Sequence, residues 1–155
     1  MQDALSGSSE GFSLLELMAV LAIFALCLGL VLPGMYRTYE REQYRAGVRD
    51  LLVVLRAGRS VAATQHQRVR VFLNLESGSY SLEGSSQRHQ LPPGMRLTDA
   101  HLVWQDPPGA RQGYIAFYAD GSSSGGYLAV LDPAGRRYGV DVEVITGKVS
   151  LKGGG

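Results

Sequence analysis

The residue whose type and position could do chemistry is Glu16. It stands at the edge of a stretch, residues 17–32, that carries no charge: LMAVLAIFALCLGLVL. A carboxylate there has two physical uses. Ser13-Leu14-Leu15-Glu16 fits the S-x-x-E capping box, in which serine and glutamate satisfy free backbone N–H groups and the carboxylate meets the positive helix end. The second use is in lipid, where a carboxylate costs on the order of 2.5–3.5 kcal/mol at full depth and less near an interface. There Glu16 would neutralise a positive charge presented by another chain. Spacing alone leaves both uses open.

Other reactive residue types do not assemble into a pattern. His66, His89 and His101 are isolated in sequence and read as surface histidines, with no H-x-x-x-H and no paired cysteine. Asp106, Asp120, Asp132 and Asp141 are too scattered for an oxygen-ligand loop. There is no G-x-S-x-G, P-loop or G-x-G-x-x-G, and the serine-rich stretches lie in Gly-rich turns without a visible base. Cys27, the single cysteine, lies in the apolar run, where it acts as a small hydrophobe. No catalytic, cofactor-binding or metal-ligating residue is expected, no cofactor is implied, and the chain does not read as an enzyme.

The elements that position Glu16 follow from how polarity is distributed. The 155 residues have a formal net charge of +1 and are 45% hydrophobic, averages that exclude a charged disordered tail or a disulfide scaffold. With Phe12, Leu14 and Leu15 the apolar stretch reaches roughly 20 residues, enough for a helix to cross about 30 Å of hydrocarbon. A core helix is disfavoured because the run is apolar on all faces in a small domain. A cleaved secretory signal would need a basic n-region and a small-residue cleavage site. The preceding MQDALSGSSEG has no lysine or arginine, and Pro33-Gly34-Met35 follows the run.

GFSLLE followed by the apolar run and Pro33 resembles the N-terminal signature of type IV pilins and type II secretion pseudopilins. The resemblance implies a leader ending at Gly11, cut by a prepilin peptidase between Gly11 and Phe12. It also implies N-methylation of Phe12 and a filament-assembly role for Glu16, the fifth residue of the mature chain, opposite a neighbour's N-terminal ammonium. It further implies a helix kink at Pro33, for which proline chemistry gives independent reason: the ring removes a hydrogen bond and clashes with the preceding turn. The leader is acidic, and Arg37, Arg41 and Arg45 flank the far side, so the positive-inside rule alone points the other way. The orientation with the N-terminus cytoplasmic and the head periplasmic comes from the resemblance.

Beyond the run, Tyr44, Val48, Leu51, Leu52, Leu55 and Ala62 recur at helical spacing, while arginines 41, 45, 49, 56 and 59 mostly face elsewhere. This predicts an amphipathic helix ending near residues 64–67, weakened slightly by Gly47 and Gly58. Alternation then predicts strands at 69–75, 79–82, 95–98, 102–105, 114–118 and 127–131, and two more within 138–151. Residues 120–126 read as a flexible hairpin loop and 132–135 as a turn. The expected fold class is α+β: a long N-terminal helix, membrane-spanning in its first half and amphipathic in its second, packed on an antiparallel β-sheet head. The corresponding boundaries are a leader at 1–11, a transmembrane segment at 12–35, the amphipathic continuation at 36–67 and the head at 68–155.

Two stretches of the head, FYADGSSSGGYL at 117–128 and VDVEVITGKV at 140–149, resemble the H-type minor pseudopilins of type II secretion (GspH) and the related FimT-type minor pilins. The first resemblance implies a structural subunit of the periplasmic pseudopilus, which drives export of folded proteins across the outer membrane. The implied partners are other pseudopilins, major and minor, the prepilin peptidase, an inner-membrane assembly platform, and secreted substrates as a further class. Loops between 102 and 126 are the expected head contacts. The alternative is a FimT-type minor pilin of a type IV pilus, in pilus assembly or DNA uptake. From residue 37 onward fifteen bases stand against eleven acids, a formal +4, which could support weak phosphate contact. The basic Gly-Arg-x-Arg stretch of the FimT type is matched here by Gly147-Lys148-Val149-Ser150, with one base, so DNA is not an expected partner. Arg136-Arg137 reads as a solvated turn.

Overall fold

The computed structural model describes residues 13–104 and 111–153, with the side chains of 30–39 outside that set. One helix, α1 (Leu14–Gln65), precedes nine strands. These are β1 (Val69–Asn74), β2 (Ser79–Leu82), β3 (Arg88–Gln90), β4 (Arg96–His101), β5 (Val103–Trp104), β6 (Gln112–Phe117), β7 (Gly126–Leu131), β8 (Arg137–Val142) and β9 (Val149–Lys152). The α+β layout expected from the sequence is present, with every strand pair antiparallel. The chain divides into two compact units, Met1–Glu40 and Arg41–Gly155.

The larger unit holds the second part of α1 and all nine strands. They form two sheets, in the orders β3-β2-β1-β6-β5 and β4-β7-β8-β9. Alternation is clearest in β1, where Val69, Val71 and Leu73 turn inward and Arg70, Phe72 and Asn74 outward. The inward residues of both sheets share one core with Val48, Leu51, Leu55 and Ala62 of α1. On the outer face Arg70 lies over the rings of Phe72 and Tyr114, and Glu83 grips its guanidinium and backbone N–H. Hydrogen bonds from Arg70 hold the Glu83 carboxyl below its usual range.

The helical glycines do more than weaken α1. A Cβ on Gly58 would stand 2.8 Å from Val71 and 3.3 Å from Phe117. A Cβ on Gly47 would stand 2.3 Å from the Pro92 ring. Both glycines therefore set how closely the helix backbone approaches what it packs on. The helix stops at His66, a left-handed residue with φ 51°, and Gln67 N–H donates back to Ala62 C=O at 3.3 Å. That bond is the six-to-one closure of a Schellman cap.

The reversal expected at 120–126 is present: Phe117 bridges Ser123 antiparallel, Tyr118 N–H donates to Ser122 C=O and Gly121 N–H to Tyr118 C=O, both at 3.0 Å, although the full strands β6 and β7 belong to different sheets. The segment carries the chain from one sheet to the other and is tied to both. Ser124 N–H donates to Ala116 C=O, and Ser123 N–H to Val144 C=O at 2.7 Å. The buried Ser123 hydroxyl donates to Glu143 C=O at 2.8 Å and accepts from Gly125 N–H at 2.9 Å. The serines that looked like loop composition are structural ties. The 132–136 turn is likewise built on a buried carboxylate. Asp132 accepts from Arg136 N–H at 2.8 Å and from its Nε at 2.7 Å. Burial pushes the Asp132 carboxyl up, but the Arg136 hydrogen bonds and charge outweigh it and hold the group low. Arg136 is therefore not a free solvated cation, and Arg137 reaches Asp99 at 3.3 Å.

Candidate functional site

The N-terminal site begins with Ser13, whose hydroxyl accepts Glu16 N–H at 3.2 Å and whose carbonyl accepts Glu16 and Leu17 N–H at 3.0 and 3.1 Å. This is the serine half of the capping box. Glu16 lies in the first turn of α1, at the positive end of the helix. Its side chain is exposed, as are all the described side chains through Gly29. Leu15 is 80% exposed. Among the described residues of this unit the apolar side chains stand open to water, which costs roughly 25 cal/mol per Å². Among the described residues, no helix is long and apolar enough to cross a membrane. Gly11 and Phe12 lie outside the described residues. The Pro33 side chain does too, while α1 is assigned as helix across that position.

In the head, His89 is not isolated. Its Nδ1 is 2.9 Å from Asp50 Oδ2, and its ring stacks on Tyr80 with centroids 5.5 Å apart. The Tyr80 hydroxyl donates to the same Asp50 oxygen at 2.6 Å. Burial and the Asp50 hydrogen bond push the Tyr80 hydroxyl pKa up. The trio joins α1 to β2 and β3. Its geometry ties the helix to the sheet edge. Among the described residues, no group of three or more His, Cys, Asp or Glu could hold a metal ion.

The head also exposes large apolar side chains. Trp104 is 52% exposed and Ile145, in the turn before β9, is 86% exposed. A cleft of about 330 Å³ is lined by His101, Leu102, Val103, Trp104, Gly125 and Val144. Its lining falls partly within 102–126, where head contacts were expected. Val144 lies outside that range, brought there by the Ser123 tie.

Residues 7–32 match the family model described as the prokaryotic N-terminal methylation motif. The match takes in Gly11, Phe12 and Glu16 and ends before Pro33. No curated protein matches the sequence. Among solved structures, the chain is similar to the minor pseudopilin EpsH from the type II secretion system of Vibrio cholerae. The TM-score is 0.56 at 13% identity, covering 74% of this chain and 96% of that one. It is similar too to the type IV minor pilin FimU of Pseudomonas aeruginosa, with TM-score 0.54 and 14% identity, covering 73% and 90%. The fold is pilin-like. The pilin-like head thus follows a prepilin-type N-terminus in one chain, which joins the two halves of the resemblance read from the sequence. Nothing in the pilin-like head brings catalytic groups together among the described residues.

Proposed function

We propose that this chain is an H-type minor pseudopilin of a type II secretion system, a structural subunit and not an enzyme. The leader ends at Gly11, and a prepilin peptidase exposes and methylates Phe12. The apolar run, read through residue 32, anchors the subunit in the inner membrane with the head in the periplasm. Glu16 sits where a carboxylate meets the methylated ammonium of a neighbouring subunit, which stays cationic at neutral pH. In a low-dielectric setting that pairing favours the docked register and penalises an unpaired charge. Pro33 bends the helix beyond the run. In this reading the exposed apolar residues within 14–29 of α1 dock among other pseudopilins, and the cleft at Trp104 and Val144 contacts a neighbouring head or an exported protein. The observation that carries the reading is the methylation-motif match at 7–32 ahead of a pilin-like head.

Mass spectrometry of the mature chain tests it directly. A chain beginning at N-methylated Phe12 is expected. An intact Met1 in cells with active prepilin peptidase would remove the reading. Glu16→Ala should co-purify poorly with the other filament subunits, and equal recovery would remove the assembly role.

The likeness to FimU supports a second reading, a minor pilin of a type IV pilus. Deleting the gene separates the two: loss of protein export supports the first, and loss of pili or DNA uptake the second. DNA is not proposed as a partner, because Lys152 beside the Gly147–Ser150 stretch is held by Asp141 at 2.7 Å.

A further inference from the structure

Five carboxylates of the head are spent on ion pairs: Asp50, Glu83, Asp99, Asp132 and Asp141 each hold a cation or histidine. Part of the remaining positive charge lies on the exposed side of α1. Arg45, Arg49, Val53 and Arg56 recur there at spacings of four, four and three, so they form one ridge. Arg49 and Arg56 have no ion-pair partner among the described residues, and Arg45 has only the exposed Glu42 at 3.5 Å. Val53 is 59% exposed between them.

A groove of about 150 Å³ opens beside the ridge, lined by Arg45, Val48, Arg49, Tyr138 and Leu151. Its lining combines Val48, Tyr138 and Leu151 with two arginines about one helical turn apart. The volume is below that of a small-molecule or cofactor pocket, and it suits one anchoring side chain. Leu151 is 44% exposed on the edge strand β9, although leucine gains by burial. Two arginines spaced in this way match carboxylates, which a guanidinium binds in bidentate fashion.

We infer that the Arg45–Arg49 ridge and the Tyr138–Leu151 groove together bind an acidic peptide segment of a partner protein. The segment seats one aliphatic side chain on Leu151 and Tyr138 and sets its carboxylates on Arg45 and Arg49. Val53 and Arg56 extend the same contact along the helix. A nucleic acid would use the arginines but not the apolar lining of Val48, Tyr138 and Leu151. The chemistry of the site does not depend on the filament reading.

The test uses the full chain in detergent micelles and a short fluorescent peptide repeating Glu-Leu-Glu-Ala, followed by anisotropy. Binding that weakens with salt is expected. R45Q combined with R49Q should weaken it by about tenfold or more, and L151S by about threefold. R137Q, which alters a cation paired elsewhere, should leave it unchanged. The inference is overturned if the R45Q/R49Q chain binds as wild type does. It is equally overturned if a Gln-Leu-Gln-Ala peptide binds as tightly, or if duplex DNA outcompetes the acidic peptide at R45- and R49-dependent sites.

Discussion

His89 Nδ1 lies 2.9 Å from Asp50 Oδ2, which fastens the edge strand β3 to the second half of helix α1. The same carboxylate oxygen receives the hydroxyl of the buried Tyr80 at 2.6 Å. One helical aspartate therefore holds two successive strands.

Removing that aspartate should cost more than removing either partner. Asp50→Ala leaves the Tyr80 hydroxyl without its acceptor and is expected to destabilise the head by about 1–3 kcal/mol. Tyr80→Phe removes donor and demand together and should cost about 0.5–1.5 kcal/mol. Urea denaturation of the two single variants and the double variant measures this. Equal losses for Asp50→Ala and Tyr80→Phe would show that the hydroxyl finds another acceptor.

Gly47→Ala should destabilise, contrary to the usual gain of about 1 kcal/mol for alanine over glycine in a helix. The added methyl collides with the Pro92 ring, whose atoms cannot swing aside. A loss of about 1–3 kcal/mol is expected from overpacking. The pair Gly47→Ala with Pro92→Ala should recover much of it, as a thermal melt would reveal.

His66→Gly should stabilise, by up to about 1 kcal/mol, because glycine adopts the left-handed conformation of the helix cap without steric penalty. His66→Val should do the reverse. A rise in denaturation midpoint for valine would mean that the cap geometry relaxes freely.

Acid should destabilise the head through Asp132 and Glu83. Both carboxyls are held low in the folded chain, so their contribution is complete above the ordinary carboxylate value of about 4. It is lost as pH falls through the depressed folded values. Asp132→Asn should therefore be less stable than wild type at pH 7 and converge toward it at low pH. Parallel curves for the two chains would contradict this linkage.

The helix end and the strands β1, β2, β8 and β9 could be read from the sequence because each carries its own periodicity or turn. β3 could not. Arg88-His89-Gln90 is polar and short, and it is a strand only because β2 pairs with it. β4 runs on to His101 past a register shift between Leu97 and Asp99, which breaks the alternation that predicts strands. The Asp120-Gly121 turn is legible and does reverse the chain, but the passage of β7 into a different sheet from β6 leaves no local trace. Asp50, Tyr80 and His89 meet only after the fold forms, and neither charge nor spacing links them beforehand. The N-terminal site is the opposite case. Glu16 and its surroundings form a contiguous text, which is why a short motif could carry the resemblance.

The two sheets are threaded through one another along the chain, since β4 of the second sheet comes before β5 and β6 of the first. Val69 cannot find its partner until Phe117 is available, and by then β4 is already waiting for β7. A chain delivered N-terminus first would thus hold β1 paired with β2 alone, its other edge waiting for β6, and β4 without its only partner β7, for much of its passage. Neither sheet can be excised, swapped or matured as a separate module, and the whole head must close late and together.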